Sequence, residues 1–189
     1  MATLHFEDWM SVFAGALQTI SADAVARAVD ILADAQRHER AIFMIGNGQS
    51  ATTANAFALD LTKQTTPPPG QPRFRTISLA CNVAALTAWG NDVSFEAVFT
   101  EQLKSLYRSG DVLIAISVSG SSPNVVDACR WVKTQGGAII AFTGSDGGAL
   151  ASLADANIWV QSRDYGHVET GHIAVMHYLV DYFRAFLAL

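Results

Sequence analysis

The sequence predicts a doubly wound α/β domain, and three observations carry that reading. Short apolar runs alternate with helical stretches, the connections between runs are long enough for helical crossovers, and 50% of the 189 residues are hydrophobic, enough for one sizeable core. Five apolar runs stand out: AIFMIG at 41–46, RTISLA at 75–80, DVLIAIS at 111–117, AIIAFTG at 138–144 and ANIWVQS at 156–162. Runs of this length without polar alternation are expected of parallel strands buried on both faces. Parallel strands need crossovers, and Ser50–Lys63, Val83–Leu106, Pro123–Gln135 and Gly147–Ala154 supply helices for right-handed βαβ units. The expected sheet is five-stranded and flavodoxin-like in its winding.

Ahead of the sheet, Trp9, Val12, Phe13, Leu17 and Ile20, then Val25, Val29 and Leu32, recur at helical steps on either side of Ser21. Residues 1–40 are therefore an N-terminal helical segment of two consecutive helices, and 41–189 hold the sheet core and a last helix, all within one domain. TKQTTPPPGQPRF at 62–74 carries four of the five prolines and reads as a surface loop, since proline removes a donor from helix and sheet alike. A long C-terminal helix from about Gly166 to Ala188 places Val168, His172, Val175, Met176, Leu179, Val180 and Phe183 on one broad stripe.

The 12 Lys and Arg stand against 17 Asp and Glu, for a net charge of −5, and no basic run offers itself to nucleic acid or to a membrane surface. The N-terminus MATLHFEDWM has two acids where a signal peptide has a basic head, and no apolar run reaches membrane-spanning length. A cytoplasmic protein is expected. Cys81 and Cys129 have neither metal-binding nor redox spacing and are expected to be free thiols. No organic cofactor is expected.

In open parallel sheets, ligands bind where strand ends feed helix N-termini, whose bare N–H groups favour anions. IGNGQSATTA at 45–54 places two glycines in a tight turn and Ser50 at the expected N-cap of the next helix. This loop could cradle a sugar or phosphate, and an ordinary βα turn with a capping serine explains it equally well. ISVSGSSPNV at 116–125 gathers Ser117, Ser119, Ser121 and Ser122 ahead of Pro123, a residue suited to a first helical turn. One cap needs only one serine. Hydroxyls and amides of this kind hold a phosphate without Lys or Arg. AFTGSDGGALASLAD at 141–155 turns sharply into a short helix and reads as structural.

Together GNGQSA (46–51), LTAWGND (86–92), GDVLIAISVSGSSPNV (110–125), FTGSDGGALASLAD (142–155) and VETGHIAVMH (168–177) closely resemble the sugar isomerase (SIS) family, and within it the phosphoheptose isomerases. The resemblance covers nearly the whole chain. It implies an aldose–ketose isomerase acting on sedoheptulose 7-phosphate, with a phosphorylated sugar as its partner. By position in the family, Asn47, Gly48, Gln49, Ser50, Asn91 and Asp92 hold the sugar, Ser117, Ser119 and Ser122 hold the phosphate, and Val118 and Glu169 also contact substrate. The family's catalytic carboxylate falls at Asp60 and its catalytic histidine at His177. The resemblance also implies a homotetramer whose sites draw on neighbouring subunits, which the apolar first and last helices suit.

The departures are as specific as the matches. Asp60 stands where the family has Glu, Glu169 where it has Gln, Val118 where it has a hydroxyl residue, and Cys81 where Asp is common. Ala56 replaces a histidine which, with the carboxylate and the last histidine, can hold zinc. One ligand is therefore missing from the implied zinc set of Asp60, Glu169 and His177.

Helical spacing puts Glu169 and His177 on roughly one face, about 12 Å apart at the backbone. Isomerising a 2-ketose moves a proton from carbon 1 to carbon 2 and another between the two oxygens, for which two titratable groups suffice. His177 suits a proton shuttle, and the pKa of Asp60 would rise if Glu169 entered the same pocket. Read without the family, His177 fits a helix histidine packed on the core better than a proton shuttle, and Asp60 fits a solvated partner of Lys63; His172 is structural or interfacial. Two alternatives to the heptose reading stay open: a noncatalytic phosphosugar-binding or scaffold protein like the replication-initiator-associating protein, and an isomerase of another phosphosugar.

Overall fold

A computed structural model describes residues 5–187. Its sheet has five parallel strands in the order β2-β1-β3-β4-β5: β1 Ala41–Gly46, β2 Arg75–Ser78, β3 Val112–Ser117, β4 Ala138–Thr143 and β5 Ala156–Trp159. The helices are α1 Phe6–Leu17, α2 Ala22–Arg37, α3 Gln49–Lys63, α4 Val83–Asp92, α5 Thr100–Leu106, α6 Pro123–Thr134, α7 Gly148–Leu153 and α8 Tyr165–Leu187. The predicted end of the last helix at Ala188 lies outside the described residues.

The winding follows from which face each strand residue serves. Ile42 and Met44 of β1 enter a core built with α2, α3 and α8, while Phe43 and Ile45 enter a second core built with α5, α6 and α7. Residues one step apart point to opposite faces, so a strand covered on both sides must be apolar throughout. β1 is, β3 is up to its terminal Ser117, and every residue in both is buried. On α8 the predicted stripe of Val168, His172, Val175, Met176, Leu179, Val180 and Phe183 is buried in full. Ser21 caps α2 by accepting from the Ala24 amide at 3.3 Å.

Four expectations are corrected. The edge strands are shorter and less buried than predicted: β2 ends at Ser78 and none of its four residues is buried, while β5 ends at Trp159 and buries only Ala156 and Ile158. An edge strand has one neighbour, so its outer positions meet solvent. The single helix expected over Val83–Leu106 is α4, a short 3-10 turn and α5, because Ser94 is extended (φ −172°, ψ 162°) and breaks it. The apolar repeat of α1 buries only Ala16; Phe6 and Val12 face outward. Last, the N-cap of α3 is Gly48 rather than Ser50, which lies inside the helix.

Among the described residues no helix is long and apolar enough to cross a membrane. Cys81 is exposed and Cys129 buried, both free, and burial pushes the Cys129 thiol up to about 12.

Candidate functional site

β1 and β3 lie side by side, but the chain leaves them in opposite directions, toward β2 through α3 and toward β4 through α6. A crevice must open at their carboxyl ends, the topological switch point of such sheets. A pocket of about 280 Å³ occupies it, lined by Asn47, Gly48, Gln49 and Ser50 after β1, by Ile116, Ser117, Val118, Ser119 and Ser122 at the end of β3, and by Tyr165 and Glu169 of α8. Two helix N-termini converge there, since Gly48 caps α3 and Ser122 caps α6. Each brings roughly half a positive charge and unpaired amides. Glu169 is the one charged residue in the lining.

The serines are held ready rather than spent. Ser122 sits at the N-cap yet makes no capping bond with its side chain; its hydroxyl lies 3.3 Å from that of Ser117, which is 3.4 Å from that of Ser119. Three hydroxyls thus point into one small volume. Ser119 also accepts from the Ser121 amide at 3.2 Å, which fixes its rotamer. Val118 borders the pocket and packs in an apolar cluster with Ala16, Val160 and Val168.

Two devices hold these loops in place. Across the switch point Asn47 and Asn124 form a reciprocal amide pair, each Nδ2 donating to the other's Oδ1 at 2.9 Å. The loop after β4 buttresses the serine loop, with the Gly144 amide donating to the Val118 carbonyl at 2.9 Å and the Leu150 amide to the Gly120 carbonyl at 3.0 Å. Gly120 has φ +64°, and a Cβ there would collide with the Gly147 carbonyl oxygen. Only glycine fits. TGSDGG is therefore structural in a specific way: it buttresses and shapes the serine loop.

Beneath this buttress His172 is fully buried, its Nε2 donating to the Thr143 carbonyl at 3.0 Å. Burial outweighs that bond and pushes its pKa down to about 4, so the ring is neutral near pH 7. His172 is structural.

Of the predicted residues, Asn47, Gly48, Gln49, Ser50, Ser117, Val118, Ser119, Ser122 and Glu169 line the pocket. The others do not line it in this chain. Asp60, three turns along α3, is half-buried and accepts from Gln64 at 2.7 Å rather than pairing with Lys63. His177 is exposed on α8, about two turns beyond Glu169. Asn91 and Asp92 are exposed at the end of α4 and bonded to each other at 2.8 Å. The condition for Glu169 to raise Asp60, a shared pocket, is not met within one chain. Among the described residues no three His, Cys, Asp or Glu side chains gather to hold a metal, so Asp60, Glu169 and His177 do not make a zinc set within one chain. Sequence reasoning missed Tyr165 and the clamp role of Asn124. An aromatic residue at a helix start facing two Gly- and Ser-rich loops was the available signal for the first; the second needed the fold.

The fold and pocket define a doubly wound domain whose switch point presents neutral donors of the kind that suit a small anionic ligand. Residues 5–144 match the SIS domain. The chain is 37% identical over 154 residues to a phosphoheptose isomerase of Campylobacter concisus, spanning 79% of this chain and 78% of that protein. It is 37% identical over 162 residues to one of Helicobacter hepaticus, spanning 84% and 80%. Among solved structures, a phosphoheptose isomerase from Neisseria gonorrhoeae superimposes with a TM-score of 0.84 at 29% identity over 95% of this chain and 98% of that one. One from Francisella tularensis does so with a TM-score of 0.86 at 25% identity, over 95% and 96%. The chain belongs to the SIS-domain family, and within it to the phosphoheptose isomerases.

Proposed function

We propose that this protein interconverts sedoheptulose 7-phosphate and D-glycero-manno-heptose 7-phosphate through an enediolate, as a homotetramer in the cytoplasm. The observation that carries the reading is the pocket itself: three serine hydroxyls and two helix N-termini on one side, a lone carboxylate on the other. A phosphate dianion is drawn to the first and repelled by the second. The phosphate therefore sits against Ser117, Ser119 and Ser122, and the carbon chain runs toward α8.

The reaction takes a proton from carbon 1 of the ketose, returns it at carbon 2, and moves a second proton between the oxygens. In this reading Asp60 and His177 are the base and acid, and Asn91 and Asp92 contact the sugar. Their placement outside their own chain's pocket fits sites completed by neighbouring subunits. Support for the assembly comes from the apolar surface left open: Phe6 and Val12 of α1, Leu59 of α3, and Tyr178, Tyr182 and Phe186 of α8 are all exposed. The residues present do not fit a zinc site within one chain, since Ala56 offers no ligand and the other three are not gathered. No step is therefore routed through a metal.

A noncatalytic phosphosugar-binding role is favoured by one observation, the absence of Asp60 and His177 from the pocket lining. One experiment separates the two readings: the purified protein is incubated with sedoheptulose 7-phosphate and the aldose proton is followed by NMR. Turnover is expected. Saturable binding without turnover would establish the binding protein instead.

A further inference from the structure

The pocket has one aromatic residue in its lining, Tyr165, and its surroundings are unusual for a tyrosine at a helix start. The backbone that carries it is firmly anchored. The Asp164 carboxylate accepts from the His167 amide at 3.0 Å, and the Asp164 carbonyl accepts from the Val168 amide at 3.1 Å. The His167 ring is buried against Trp9 and Phe13, with centroids 5.0 and 5.8 Å away. The side chain itself is uncommitted: Tyr165 is 62% exposed, and among the described residues its phenol makes no hydrogen bond. A large apolar ring held at a pocket mouth by a rigid backbone, with no core to enter, is free to cover a ligand.

The charge layout of the pocket says which part of the ligand it covers. Tyr165 lies four residues before Glu169 on α8, on the same helix face, and both line the pocket. Glu169 repels phosphate, so this wall faces the carbon chain. We propose that Tyr165 is a specificity-determining residue whose ring packs on the carbon chain of the phosphosugar and takes no part in holding the phosphate. The inference rests on the phosphoheptose reading of the site. The aliphatic edge of a polyol laid on an aromatic face removes apolar area from water. Covering about 40 Å² of ring at roughly 25 cal/mol per Å² corresponds to a change in Kd of about fivefold. A longer carbon chain covers more of the ring, so Tyr165 favours seven carbons over five.

Isothermal calorimetry of the full-length protein tests this with three ligands, inorganic phosphate, a pentulose 5-phosphate and sedoheptulose 7-phosphate, on wild type, Tyr165→Phe and Tyr165→Ala. Tyr165→Ala is expected to weaken sedoheptulose 7-phosphate about fivefold, to leave inorganic phosphate within about twofold, and to narrow the preference for seven carbons over five. Tyr165→Phe is expected to match wild type. Unchanged heptulose affinity in Tyr165→Ala, an equal loss for inorganic phosphate, or a loss in Tyr165→Phe as large as in Tyr165→Ala overturns the inference alone. Wild-type protein that binds inorganic phosphate but not sedoheptulose 7-phosphate overturns the phosphoheptose reading, and this inference with it.

Discussion

The serine loop and the outer face of α3 and α8 are the two halves of the proposed active site, and they are finished to different degrees within one chain. The serine loop is tied down from both sides: Gly144 after β4 and Leu150 of α7 hold its carbonyls, and Asn124 ties it to the loop after β1. On the outer face His177 lies exposed, and Asp60 answers only to its neighbour Gln64. The half proposed to bind is preorganised by the fold, and the half proposed to move protons is not assembled within one chain. Binding and chemistry should therefore separate cleanly under mutation.

The largest effect tests that separation directly. Asp60→Asn and His177→Ala should each lower kcat by roughly 100- to 10,000-fold, the usual contribution of a positioned acid or base, while calorimetry shows inorganic phosphate binding unchanged. A parallel loss of phosphate binding would erase the distinction between the halves.

The second effect lies under the finished half. The buried His172 titrates at about 4 in the folded chain against 6.5 when unfolded. Between those values the unfolded state binds more protons, so stability rises with pH. The contribution is complete above pH 6.5, is lost as pH falls toward 4, and is constant below; the full span is roughly 3 kcal/mol. Urea titrations at pH 7.5 and 4.5 should differ accordingly, and His172→Gln should flatten the slope. A pH-independent midpoint shift between wild type and variant would mean the ring is not kept neutral by burial.

The smallest effect sharpens the comparison within the binding half. Asn47→Ala and Asn124→Ala each leave the other amide without its partner and should each lower kcat/KM about tenfold, the cost of a lost hydrogen bond and an unsatisfied group. The double variant should be no worse than either single one. Additive losses would show that the two residues act separately on the ligand.

Most of this arrangement was legible in the sequence where the signal is local. Buried strands β1 and β3 announce themselves because both faces are covered, and the serine loop because four hydroxyls exceed what capping requires. β2 and β5 were over-extended because an edge position is a fact of the sheet, not of the strand. Helical spacing puts Glu169 and His177 on roughly one face of α8, yet only Glu169 lines the pocket while His177 is exposed, because spacing says nothing of how far a pocket runs along a helix. The amide pair of Asn47 and Asn124 joins residues 77 apart through two side chains that read separately as ordinary loop and helix-start residues.

The pocket proposed to hold the phosphate has no Lys or Arg in its lining, on a chain whose net charge is −5. Its grip is short-ranged, and at a distance the protein and a phosphosugar repel. Encounter is then unsteered, and added salt, which screens the repulsion, should quicken association while leaving the hydroxyl and amide contacts as they are. A cation-lined phosphate site slows under the same change. This protein should capture its ligand faster at physiological salt than in dilute buffer.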